Sequence, residues 1–174
     1  MTPLQVDVLH KFRDLEIKHL VIGGQAMRAL GVDRQTRDLD LWIPYDPITV
    51  AGMARFAQQM GQDPQAHPLD HAGLRLTVGE LPHPDVEILN FVAGDPDFDA
   101  CFNRAQHLAL DGEPVVAISA EDLLAIKQAC AAIMDQDAVN LADPEKRAAS
   151  VNTALKERRD IALLERFLAE RKRD

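Results

Sequence analysis

The stretch "RDLDLWIP", from Arg37 to Pro44, narrows what this chain can fold into more than any other. Asp38 and Asp40 alternate with Leu39 and Leu41 before a proline closes the segment, a period-two pattern that predicts a strand with one face reserved for carboxylates. On such a strand the two carboxylates stand side by side, about 6.6 Å apart at the backbone. Two anions this close repel each other unless a cation lies between them.

A divalent metal held by oxygen ligands is the natural cation, and two such ions about 3.5–4 Å apart form the clamp used in phosphoryl and nucleotidyl transfer. The clamp usually takes a third carboxylate. Glu87 is the first choice, because it stands between Val86 and Ile88 in an apolar strand, where a charge needs a partner. Asp85 is the second choice. An Asp-x-Asp pair on an edge strand can also be a solvated face, so the context has to separate the readings.

That context begins upstream. "HLVI" reads as a short buried strand, Gly23 and Gly24 interrupt it, and "QAMRAL" has the composition of a short helix ended by Gly31. A Gly-Gly turn between strand and helix is either simply tight or a place where backbone N–H groups meet an anion such as a triphosphate. The order favours the second reading, because the glycine turn, the returning helix and the carboxylate strand would share one mouth. Arg34 and Arg37 flank Thr36 just before that strand, so either could reach a triphosphate or simply be solvated.

The rest of the chain predicts a mixed fold. Val8, Leu9, Phe12 and Leu15 have helical spacing in a first helix from Pro3 towards His19, and a further helix runs from Pro47 to about Gly61. "LRLTV" pairs with "VEILNFV", and "HLAL" with "PVVAI" around Asp111-Gly112, as two antiparallel hairpins. "SAED" fits a capping box opening a helix to about Met134, and a last helix starts near Thr153. Between them, Asp143-Pro144 suggests a break and the alanines suggest helix. Lys127 shares a stripe with Leu123, Ala131 and Met134, so its ammonium either snorkels to water or meets a counter-charge such as Asp160.

Composition excludes several classes. With 174 residues and 47% hydrophobic content the chain is sized for one compact unit, divided as a core over 1–116 and a helical segment over 117–174. No apolar run reaches the roughly 20 residues of a membrane span, and the start lacks a signal-peptide pattern, so the expected location is cytoplasmic. Cys101 and Cys130 have no C-x-x-C spacing, and both are expected to be reduced. A net charge of −9 argues against a broad phosphate-binding face, although Arg28, Arg34 and Arg37, and the tail "ERRD…ERKRD", are local basic clusters. His67 and His71 flank Pro68 in a stretch that reads as loop rather than metal site, and His83 reads as a turn residue.

Ile22-Gly23-Gly24, Asp38-Leu39-Asp40 and the later Glu87 together resemble the nucleotidyltransferase superfamily of the DNA polymerase beta type. "GGQAMRALGVDRQTRDLDLWI" looks most like small bacterial proteins related to abortive-infection and toxin–antitoxin nucleotidyltransferases, and "SAEDLLAIKQA" and "RRDIALLERF" resemble that group's C-terminal helices. The chain departs from that pattern in the long insertion between Lys127 and Asp160 and in having Glu, not Asp, as third acid. The resemblance implies an α/β (α+β) fold with a mixed sheet flanked by helices and a C-terminal helical segment. It implies Mg²⁺-dependent transfer of a nucleoside monophosphate from a nucleoside triphosphate to an acceptor hydroxyl, on RNA such as tRNA, on a partner protein or on a small molecule.

In that scheme Asp38, Asp40 and Glu87 are catalytic and hold two metals, and Gly23, Gly24, Arg37 and Lys127 bind the nucleotide. Arg34, Thr36 and Asp160 support them, while Arg159 reads as a surface residue. The alternatives are an antibiotic-modifying nucleotidyltransferase, whose small acceptor would need an acid-lined pocket, and a silent antitoxin or scaffold.

Overall fold

In the computed structural model, which describes residues 1–62, 73–79 and 85–173, the alternating segment is strand β2 (Leu39–Trp42). It lies inside a six-stranded sheet with β1 (Leu20–Ile22), β3 (Arg75–Val78), β4 (Val86–Leu89), β5 (Gln106–Leu110) and β6 (Glu113–Ala117), in the order β3-β4-β2-β1-β6-β5. The sheet is mixed. Both expected hairpins are antiparallel ladders, β3–β4 and β5–β6, as is β1–β2, while β2–β4 and β1–β6 run parallel. The parallel pairings join strands far apart in sequence, so local patterning does not announce them. His67, His71 and His83 lie outside the described residues.

Helices flank this sheet. α1 (Pro3–Asp14) starts at a Thr2 capping box shared with Gln5, and buries Val8, Leu9 and Phe12. α2 (Gly23–Ala29) follows β1 directly, and α3 (Pro47–Gln59) is capped by Asp46, whose carboxylate accepts from the N–H groups of Ile48 and Thr49. Phe12 and Phe56 meet edge to face at 5.0 Å between ring centroids, joining α1 to α3 inside the core. A short helix that the sequence pattern does not announce, α4 (Phe98–Asn103), sets Phe98 edge-on against Trp42 at 4.9 Å.

The C-terminal segment differs from expectation in its lengths. α5 spans Ala120–Asn140, past the expected end at Met134, and α6 spans Pro144–Arg171, starting well before Thr153. Asp143 caps α6 through the N–H groups of Glu145 and Lys146, and Pro144 takes the first helical position, where its missing N–H costs nothing. The ambiguous Ala-rich stretch is therefore helix apart from a short turn. At the start of α5 the Ser119 hydroxyl accepts from the Asp122 N–H, but the Asp122 carboxylate pairs with Arg104 at 2.7 Å. Leu123 and Ile126 of α5 and Leu164 of α6 join the same apolar cluster as the sheet.

Candidate active site

β2 and β4 run parallel with Asp40 directly opposite Glu87, so adjacent strands project two carboxylates at one level. Asp38, two residues before Asp40, has the same strand parity, and all three acids line one cavity. Glycines let this cluster sit against α2. Gly23 has φ +64, and a Cβ there would overlap the Asp40 carboxylate. A Cβ at Gly24 would stand 2.7 Å from Cβ of Thr36, inside any real contact distance. The Gly-Gly pair thus admits Asp40 and Thr36 to the start of α2, a role beyond a tight turn.

The carboxylates are unequal. Withdrawal from water, then the charges of Asp38 and Glu87, push the Asp40 pKa up to about 7, only partly relieved by Lys156 and Lys127. Burial also works against ionisation of Asp38. There, hydrogen bonds from the Thr36 hydroxyl (2.5 Å) and its own backbone, with Lys156 and Arg34 nearby, more than offset it and hold the carboxyl below its usual range. Glu87 accepts from the Arg75 guanidinium of neighbouring β3 at 2.6 Å.

Two cavities meet at this cluster. One, of about 870 Å³, is lined by Arg28, Arg34, Arg37 and Lys156, with Gln25 and Thr36 as further hydrogen-bonding groups and Asp85 among its acids. The other, of about 790 Å³, holds Gly23, Gly24 and Asp40 at one end, with Leu89, Phe91, Ile133 and Met134 among its walls. Thr36, Asp38, Glu87 and Lys156 line both. Arg28 is tied to Asp111 at 2.9 Å and Arg34 to Asp160 at 2.6 Å. Arg37 and Lys156 are exposed and, among the described residues, have no ion-pair partner within 4.0 Å.

Lys127 is buried, and its ammonium lies 2.8 Å from both Glu157 and Asp160. Burial opposes its charge, but the two carboxylates more than compensate and raise its pKa. Asp160 bridges Lys127 of α5 to Arg34 of the loop before β2, so the C-terminal helices are pinned to that loop. Arg159 is exposed.

Sequence reasoning missed Lys156, Arg75 and Phe91. The signal for Lys156 was its i,i+4 relation to Asp160 on one helix face. Arg75 needed the β3–β4 register, which sets Thr77 opposite Glu87 and Arg75 one same-face step away.

The donor set suits a hard divalent cation, since all three groups are carboxylates and Asp40 is short of positive charge. Among the described residues no three His, Cys, Asp or Glu side chains are gathered tightly enough to enclose an ion. Asp38 is turned to Thr36 and Glu87 to Arg75, so closing around a metal takes side-chain rotation.

Neither a scan against protein-family models nor a search of curated proteins returns a match. Among solved structures the chain is similar to the solution structure of the antibiotic-resistance factor ANT(2'')-Ia, at 17% identity and a TM-score of 0.46 over 99% of this chain and 95% of that one. It is also similar to the crystal structure of ANT(2'')-Ia in complex with adenylyl-2''-tobramycin, at 17% identity and a TM-score of 0.44 over 97% and 99%. Both likenesses are distant.

Proposed function

We propose that this chain is a nucleotidyltransferase that moves a nucleoside monophosphate from a nucleoside triphosphate to an acceptor hydroxyl. The observation that carries the reading is the carboxylate cluster of Asp38, Asp40 and Glu87 at the junction of a cationic and an apolar-walled cavity. Asp38, Asp40 and Glu87 would hold Mg²⁺. A metal held there would supply positive charge to the reacting phosphate.

The triphosphate chain belongs in the cationic cavity, where Arg37 and Lys156 have no carboxylate partner among the described residues. Gly23 and Gly24 let the cluster approach the nucleotide, and Lys127 and Asp160 fix the floor behind it, with Arg34 held in place. In the reaction the acceptor oxygen bonds to the α-phosphorus as the bond to the bridging oxygen breaks. Pyrophosphate leaves with that electron pair, and the hydroxyl proton passes to Glu87 and then to water. The sequence motifs extend this reading to a cytoplasmic partner in a toxin–antitoxin pair.

The test incubates the protein with Mg²⁺ and each α-labelled nucleoside triphosphate against RNA, protein and small acceptors, with isothermal calorimetry of a non-hydrolysable triphosphate alongside. Mg²⁺-dependent triphosphate binding that is lost in Asp40→Asn is the expected result. Wild-type protein that binds no triphosphate, with or without Mg²⁺, would overturn the reading.

A further inference from the structure

We infer that the second cavity is the acceptor subsite, and that its acceptor presents the reacting hydroxyl on an aromatic or aliphatic body rather than on a phosphodiester chain. This rests on the transferase reading above. In-line displacement requires the attacking oxygen and the departing pyrophosphate to lie on opposite sides of the α-phosphorus. Asp38 and Glu87 line both cavities, so the reacting phosphorus sits between them. With the phosphate chain drawn into the cavity of Arg28, Arg37 and Lys156, the acceptor must enter from the other side.

That other side is built for apolar contact. β4 and the loop after it supply Leu89, Phe91 and Val92, and α5 supplies Cys130, Ile133 and Met134. Phe91 and Ile133 are 46% and 45% exposed, large apolar side chains left uncovered at the cavity. The loop is held close to α5, since a Cβ at Gly94 would stand 3.1 Å from Cβ of Ala129.

The charges here are largely committed to one another. Lys127 is held by Glu157 and Asp160, and Arg75 by Glu87. Asp95 adds a carboxylate, and Lys156 is shared with the cationic side. The acids of this lining, Asp38, Asp40, Glu87, Asp95, Glu157 and Asp160, outnumber its cations Arg75, Lys127 and Lys156 and repel a phosphodiester chain, whereas an apolar body meets Phe91 and Ile133 and still reaches the carboxylates with its hydroxyl. Polar groups at the reacting end and apolar walls around the body are the usual division in such pockets.

The experiment uses the full chain and the probe 3-phenylpropan-1-ol, titrated by ligand-observed NMR with and without Mg²⁺ and a non-hydrolysable triphosphate, beside tobramycin and a short single-stranded RNA. The variant is Phe91→Asn/Ile133→Asn, at two exposed positions, with folding checked by its thermal transition. The expected result is that the alcohol binds wild type and loses at least about tenfold in affinity in the variant, while triphosphate affinity stays within about twofold. Alcohol affinity unchanged in the variant would overturn the acceptor assignment, as would tobramycin or RNA binding that is tighter than the alcohol and lost in the variant. Retained alcohol binding with no triphosphate binding by wild type would instead overturn the transferase reading and the acceptor role that rests on it.

Discussion

Asp40 and Glu87 are direct partners across two parallel strands, β2 and β4, so two acids occupy one level of the sheet with a third, Asp38, beside them. The arrangement penalises the protein in the absence of a bound cation. That penalty can be measured.

The folded-state pKa of Asp40, about 7, lies above its ordinary 3.8, so the folded protein holds this proton more tightly than the unfolded chain does. Its stabilising contribution is full below about pH 4 and is lost as pH rises through 7. Asp40→Asn removes the ionisation. In EDTA at pH 8 the variant is expected to exceed wild type in unfolding free energy by on the order of 2–4 kcal/mol, with the gap closing by pH 4. Denaturant titrations across that range give the answer, and a variant less stable than wild type at pH 8 would contradict the electrostatic account.

Arg75 holds Glu87 at 2.6 Å and competes with any metal for that carboxylate. Arg75→Met is therefore expected to tighten Mn²⁺ binding by about threefold to tenfold, a modest factor because the guanidinium is solvent-exposed. Free Mn²⁺ measured by EPR reports the affinity without reference to turnover. Weaker binding in the variant would mean that Arg75 orients Glu87 for the metal rather than competing with it.

Lys127 and Lys156 should separate structure from binding. Lys127→Ala leaves Glu157 buried without its cation and Asp160 with Arg34 alone, and is expected to cost about 3–5 kcal/mol. Lys156→Ala changes an exposed side chain and is expected to stay within about 0.5 kcal/mol of wild type while weakening triphosphate binding. Chemical denaturation and calorimetry on both proteins check the pair, and a stable Lys127→Ala protein would show that the bridge to α6 is dispensable.

Gly23→Ala places a methyl group against the Asp40 carboxylate at a backbone angle of φ +64. A loss of about 1–3 kcal/mol is expected, together with weaker Mn²⁺ binding, because the carboxylate must move away. A variant matching wild type in both stability and metal affinity would remove the close-approach explanation for this glycine.

The parts of the fold legible in the sequence were those set by short-range pattern. Alternation gave β2, turn residues gave both hairpins, and the position of Glu87 between two apolar neighbours marked it as unusual. Gly23 and Gly24 were legible as close-approach positions, but what approaches them, Asp40 and Thr36, required the structure. The parallel pairing of β2 with β4 depends on packing between distant segments, and so does the Arg75–Glu87 pair that follows from its neighbouring register. The length of α6 was obscured because Asp143-Pro144 reads equally as a break or as a cap with proline at N1, and the structure adopts the cap.

The bridge from Arg34 to Asp160 spans 126 residues of chain, and it gives the site a history as well as a shape. During synthesis Asp38 and Asp40 leave the ribosome long before Glu87, and the cations of α6 come last. Contacts of such sequence separation close late in folding. Until α6 docks, the growing sheet carries an acidic cluster without the charge of Lys156, so the nascent chain passes through a stage in which charge repulsion opposes the order that hydrophobic burial promotes. Divalent ions present at that stage would act on folding before any question of turnover arises.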